Sequence, residues 1–431
     1  MEYFPEDRRI TFVATNNVRF NAIFSSEHHT RPDIAGTYPG QPAPRSWNWN
    51  LCPIDIELKS KEDKCPVKYT KISRGDAHDA ALTQIAKNGR NILAASGACF
   101  CFVVGIYGSL GRIYRFDHAG VLISPSFRIK AMEPSNILFR FLWRIVHPQL
   151  PAPLYGDVLS RPKLVGLDAT VTSLTEEEKT WLRDTLINCH GYEAKLANER
   201  VDQSKKKVAM YMPLNSGPTA EPAPKWCYTI GKPLSQSSGL FSRATKVEKV
   251  LFREDPDHFF AVKDSWRHVY RQNEIDFYNH VRNCYAPNYP RGLAQGIGAI
   301  DFGLDARFPW HRTKSRETSA AKDALSASGQ AKQDDVANQQ QLAPTPTVPE
   351  AVNPWAYDAL FPLQLPQTEI RKPGDANPNR SLTRTTTYPV GEPIVEFTST
   401  KQLVEAIRDA IEGMLPKYGL FFCSLIFVKR T

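Results

Sequence analysis

Apolar and polar positions divide the chain into three blocks expected to be ordered, separated by polar segments. In the first block Ile54-Asp55-Ile56-Glu57-Leu58-Lys59 alternates apolar with polar side chains, the period of a half-buried strand. Ala77 to Ala95 then places Ala80, Leu82, Ile85, Ala86, Ile92 and Leu93 at roughly helical spacing, which predicts a helix. Cys99 to Ile106 is β-branched and aromatic and predicts a buried strand. Gly111 to Ile123 predicts two strands joined at a His118-Ala119-Gly120 turn. Ile137 to Val146, rich in Phe, Leu and Trp, predicts a buried helix, and Thr175-x-x-Glu178 is a capping box that opens another through Leu186.

The second block starts near Trp226 with a strand at Cys227 to Ile230 and a polar loop from Gly231 to Ser242. Strands at Thr245 to Phe252 and Phe259 to Val262 flank a Glu254-Asp255-Pro256-Asp257 turn, and a helical run is predicted from Asp264 to Val281. In the third block Leu403, Ile407, Ile411 and Met414 or Leu415 form one apolar helix face behind a Thr398 or Ser399 cap. The predicted organisation is an amino-terminal segment (1–44), a mixed α and β accessory domain (45–201), a Lys- and Pro-rich linker (202–225), a second folded unit (226–312), an insertion (313–352), an extended region (353–397) and a final helix with an apolar tail (398–431). The insertion offers almost no large apolar side chain to offset the entropy of ordering, so disorder is expected there.

Composition narrows the classes. Lysine and arginine outnumber aspartate and glutamate 54 to 45, but 23% charged residues of mixed sign make an ordinary surface and give no sign of a specific nucleic-acid partner. The eight cysteines include no C-x-x-C pair, and the chain opens with acids where an export signal carries a basic stretch, so an intracellular protein with reduced thiols is expected. Cys99 and Cys101 are expected to be buried thiols. Ile92 to Leu110 runs nineteen residues without a charge, yet its three glycines and its strand-like centre predict burial in the first domain and no membrane span.

Two groups of residues carry candidate chemistry. Glu57-x-Lys59, with Asp55 nearby, has the Glu-x-Lys pattern of metal-dependent nucleases, although alternating charges on an edge strand explain it as well. Phe260-Ala261-Val262-Lys263 ends an apolar strand on a lysine, and Glu274 follows eleven residues later on the predicted helix. A carboxylate there can hold the ammonium by a charge-assisted bond.

Around that lysine the sequence resembles the fungal-type protein kinase family. The resemblance rests on Leu240 to Val247, on Val262-Lys263-Asp264-Ser265-Trp266-Arg267 with Glu274, on Gly391-Glu392-Pro393 with Phe397, and on the helix Leu403 to Ile411. In the amino-terminal half it rests on Ile56 to Lys59, Tyr114 to Val121, Ser124 to Phe127 and Gly166-Leu167-Asp168-Ala169-Thr170. It implies an α+β protein: the accessory domain, then a protein-kinase-like small lobe of antiparallel sheet plus helix, then the first large-lobe helix. It also implies ATP-dependent phosphorylation of protein Ser or Thr with ATP and Mg as cofactors, and contact of Lys263 and Glu274 with the ATP phosphates. No partner or substrate is legible.

The sequence departs from the family's pattern in two places. Ser242 stands where the family's phosphate loop carries glycine, with Gly231 and Gly239 eight apart, so cradling of phosphate by backbone amides is put in doubt. After Lys417-Tyr418-Gly419-Leu420 the chain continues as an apolar run without the catalytic-loop aspartate or a metal-binding Asp-Phe-Gly. Asp301-Phe302-Gly303 precedes that point in chain order and is expected to be unrelated to metal binding. The chain is therefore read as truncated before the catalytic loop and catalytically incomplete. The alternatives are a non-catalytic binding or scaffold protein and a nuclease-like metal enzyme at Glu57 and Lys59.

Overall fold

The computed structural model describes residues 4–304 except 22, 25–29, 69–70, 74, 131–136, 149–162, 204–205, 211–224, 286–288 and 290–292, and beyond these 368–371, 380–391, 399–401, 404–405 and 407–408. The insertion expected at 313–352, most of the linker and the apolar tail lie outside the described residues.

The first half runs β1 (Phe12–Ala14), β2 (Ile34–Gly36), β3 (Ile54–Lys59), the small hairpin β4 (Val67–Lys68) and β5 (Lys71–Ile72), α1 (Asp76–Ser96), β6 (Cys101–Tyr107), β7 (Leu110–Phe116), β8 (Gly120–Ile123), β9 (Phe127–Arg128) and α2 (Ile137–Ile145). The second runs β10 (Val171–Ser173), α3 (Glu176–Asn188), α4 (Ala194–Gln203), β11 (Lys206–Met210), β12 (Lys225–Thr229), β13 (Ser235–Gln236), β14 (Lys246–Phe252), β15 (Asp255–His268), α5 (Glu274–Tyr285), β16 (Gln295–Asp301), β17 (Thr368–Arg371) and β18 (Arg380–Tyr388).

Local signals explain most of these elements. Gly97 ends α1 in the left-handed conformation, and its amide closes on the Leu93 carbonyl. The Thr175 hydroxyl accepts from the Glu178 amide at 3.2 Å while the Glu178 carboxylate accepts from the Thr175 amide at 2.8 Å, so both halves of the capping box are made. The apolar run Cys99 to Ile106 becomes β6 at the centre of a sheet, buried on both faces, as expected. Cys99 and Cys101 are buried free thiols. Among the described residues no helix is long and apolar enough to cross a membrane.

Among the described residues two large sheets form besides the β4–β5 hairpin. The first has the order β1-β2-β3-β6-β7-β8-β17, with β3 and β6 parallel across the α1 crossover. The second is antiparallel in the order β10-β11-β12-β14-β15-β18-β16. Strand pairing crosses the boundaries drawn from sequence. β10 and β11 extend the second sheet upstream of residue 226, and β17 leaves the second half to pair with β8 of the first sheet.

Each face of the first sheet has its own cover. Ile85, Ile92 and Leu93 of α1 pack with Cys101, Val103, Tyr114 and Phe116. Ile54, Phe102, Val104 and Ile113 point the other way and share a cluster with Trp266, Phe302 and Leu382 of the second half. Alternation along β3 and β6 therefore supplies two cores, one of them common to both halves.

The predicted helix from Asp264 is corrected here. β15 continues to His268 because residues 264–268 pair register by register with Arg384 back to Arg380, and the helix starts only at Glu274. Within the region expected to be extended (353–397), residues 380–387 form most of β18 and are buried between β15 and β16 of the second sheet. Two of the polar side chains there are answered by neighbours, Thr383 Oγ1 donating to the Ser265 carbonyl at 2.9 Å and Arg384 bonding Asp264, Asp168 and Thr170, while buried Thr386 Oγ1 has no hydrogen-bond partner.

Arg384 is fully buried. Its Nε and Nη2 donate to the Asp264 carboxylate at 2.6 and 2.9 Å, and Nη1 reaches Thr170 Oγ1 at 2.9 Å. Nη2 also lies 3.4 Å from Asp168, whose other oxygen is occupied by the Thr170 amide and hydroxyl at 2.8 and 2.6 Å. Burial opposes the charge on Arg384, but the Asp264 and Asp168 carboxylates outweigh it and hold the guanidinium firmly protonated. Removing one member of a buried ion network leaves its partners charged and unpaired, at a cost of about 3–5 kcal/mol. Arg384→Met is predicted to lower unfolding stability by about that amount, measured by urea denaturation of the chain; a loss below about 1 kcal/mol would count against the network's role.

Candidate functional site

β15 occupies the middle of the second sheet because Phe260, Ala261 and Val262 are apolar or β-branched and bury against both neighbours. Lys263 follows on the alternate face, directly opposite Val247 of β14 and Thr385 of β18. Its Nζ lies 2.8 Å from Glu274 Oε2 and 3.0 Å from Oε1, with side-chain exposures of 11% and 21%. Tyr278, one turn along α5, donates its hydroxyl to Glu274 Oε1 at 3.3 Å.

The approach of helix to sheet depends on Gly296 of β16. A Cβ there would lie 2.7 Å from Ile275 Cδ1 and 2.7 Å from Tyr278 Cβ, so any side chain would push α5 off the sheet. An ammonium has three donors and the carboxylate spans two acceptors, which leaves Lys263 capacity for a further anion. The pair expected from sequence is thus brought together.

The loop between β13 and β14 is closed by its own side chains. Ser237 donates its amide to the Thr245 carbonyl at 2.8 Å. Ser242 Oγ donates to the Gly239 carbonyl at 2.7 Å and accepts from the Ala244 amide at 3.0 Å. The serine at the glycine position therefore occupies one of the backbone amides with which such a loop can cradle phosphate, and Ala244 sits at φ +41° to complete the turn.

Asp301 of the Asp-Phe-Gly sequence is ion-paired with Arg267 of β15 and accepts from Ser381 of β18, so its carboxylate ties three strands together. Phe302 is fully buried in the cluster shared by the two halves, with the Arg384 guanidinium 5.1 Å from its ring. Among the described residues no group of three or more His, Cys, Asp or Glu could hold a metal ion.

Glu57 and Lys59 share the α1 face of β3 with Asp55. Glu57 Oε1 accepts from Asn88 at 2.6 Å and Oε2 from Gln84 at 2.5 Å, while the same Asn88 amide donates to Asp55 at 2.8 Å. Lys59 bonds Gln84 at 3.0 Å and lies 3.5 Å from Glu57. The space between the carboxyls is filled by amide groups from one face of α1, at i and i+4. The arrangement gives the nuclease-like reading no support.

Burial favours the protonated forms most, followed for Glu57 by the charge of Asp55 and for both by that of nearby Asp33; Asp55 is pushed up to about 7 and Glu57 to about 9. A carboxyl held above its ordinary value of about 4 contributes stability fully below that value and loses it as pH rises through the folded-state value. Stability should therefore fall from about pH 5 to about pH 9, with a slope approaching about 1.4 kcal/mol per pH unit for each carboxyl that titrates. Glu57→Gln is predicted to flatten that slope and to stabilise the chain at pH 8, measured by urea unfolding across the range. An unchanged slope in the variant would contradict the assignment.

The antiparallel sheet with a lysine on β15 and a glutamate at the start of the next helix is that of a protein-kinase-like small lobe. Residues 57–418 match the family model of fungal protein kinases, and the chain belongs to that family. No curated protein matches the chain. No solved structure matches it either.

Sequence reasoning missed Arg384, the His118 ring and the two amides on α1. The amides were legible in principle, since Gln84 and Asn88 are polar positions within the apolar stripe of a helix. Arg384 was not, because its partners Asp168 and Thr170 lie more than two hundred residues away.

Proposed function

We propose that this chain carries the lysine and glutamate of a nucleotide-phosphate site in a Ser/Thr protein kinase of the fungal family. The carrying observation is the half-buried Lys263–Glu274 pair on the sheet face away from the first half. A primary ammonium steadied by a carboxylate at 2.8 Å fits an anionic phosphate oxygen, and the ordered strand and helix keep it in place. ATP would supply the transferable phosphoryl group. Among the described residues no group of three or more His, Cys, Asp or Glu is placed to hold magnesium.

Phosphoryl transfer needs, besides this pair, an aspartate to orient the acceptor hydroxyl and metal-holding carboxylates. Neither motif follows the helical positions near 400–408 within residues 1–431. The reading is therefore nucleotide binding at Lys263 and Glu274.

Titration of purified residues 1–431 with a fluorescent ATP analogue tests this. Weak saturable binding is expected, and Lys263→Met should reduce affinity about tenfold, the value of about 1.4 kcal/mol for one charge-assisted contact. Equal binding by the wild type and the variant would refute the site. ATP-dependent phosphorylation abolished by the same substitution would show that transfer groups lie within the chain.

A further inference from the structure

The loop between β13 and β14 lies on the face of the sheet opposite Lys263. Lys246 and Asp264 are directly paired across β14 and β15 and so share one face, and Leu240 lines a cavity of about 60 Å³ with them and with Trp266 and Leu382. Lys263 occupies the alternate face with Glu274.

Three contacts hold the loop to the first half. Gln236 donates to the Ala94 carbonyl in the last turn of α1 at 2.9 Å, a group that the helix itself leaves unpaired. The His118 ring packs 5.0 Å from Trp266 and lines the same cavity as Leu240. Leu240 and Phe241 pack against the cluster beneath α1. The contact is incompletely filled: the cavity lies beside the loop, and buried His118 Nδ1, which lines it, has no hydrogen-bond partner.

We propose that the first half holds this loop in a stowed position, so that closing over phosphates at Lys263 requires the loop to leave His118 and α1. The first half and the nucleotide then compete for one loop. This rests on Lys263 and Glu274 being a nucleotide site. A binding-competent state populated only in part weakens apparent affinity by that fraction, so loosening the dock should strengthen binding.

The test pairs two measurements on the full chain: hydrogen exchange of residues 237–244 without nucleotide, and titration with the fluorescent ATP analogue. His118→Ala removes the ring that packs on Trp266 and lines the cavity beside Leu240. It should speed exchange in the loop about three- to tenfold and tighten analogue binding by a similar factor. Gln236→Leu, which acts from the loop side, should move both readouts the same way and guards against a folding defect at His118. Unchanged loop exchange in both variants would overturn the dock. Faster exchange with weaker binding would overturn the competition and make the dock a support for the closed loop. Faster exchange with no analogue binding in any protein would overturn the competition through its premise, since the dock would stand while the nucleotide reading failed.

Discussion

A single buried guanidinium ties the two sheets together. Arg384 is fully buried on β18 of the second sheet, yet two of its bonds end on Asp168 and Thr170 at the junction between the halves, and two end on Asp264 of its neighbouring strand. Such a charge is tolerated in the interior only when every donor is answered, and this requirement fixes the register of β18 on β15 and the position of the 166–170 turn together. That turn is itself tightly set. Gly166 adopts φ +96°, and a Cβ there would lie 2.3 Å from the Phe100 carbonyl oxygen, so β6, the turn and Arg384 form one continuous constraint.

Because the first half covers one face of the second sheet, the other face is left for chemistry. Lys263 and Glu274 occupy that face under α5, while Asp264, one residue along, points back into the ion network. Strand alternation thus assigns adjacent residues to opposite faces, one to the ion pair with Glu274 and one to the junction. Asp301 follows the same economy. Its sequence context suggests a metal ligand, but its carboxylate is taken by Arg267 and Ser381, and the phenyl ring beside it fills the shared core.

Much of this was legible in the chain. The capping box at Thr175, the buried strand β6, the His118 turn and the Lys263–Glu274 pair all follow from local pattern, since each depends on residues within a few turns or one strand of each other. The failures share a cause. β18 reads as polar although it is buried, because Thr383 and Arg384 find their partners more than a hundred residues away, and β15 was cut short at Asp264 for the same reason. The pairing of β17 with β8 joins segments some 250 residues apart, which no local pattern encodes. The amides that fill the Glu57 site come from a helix whose polar positions alone do not say which strand they face.

The account holds that the two halves are one cooperative unit, since they share a core cluster, a strand exchange and a buried ion network. Native-state hydrogen exchange of the β6 and β15 amides as a function of denaturant measures this most directly. Equal opening free energies converging on the global unfolding value are predicted for both strands. If β15 instead opened at markedly lower denaturant while β6 stayed protected, the halves would be independent domains and the role assigned to Arg384 would be wrong.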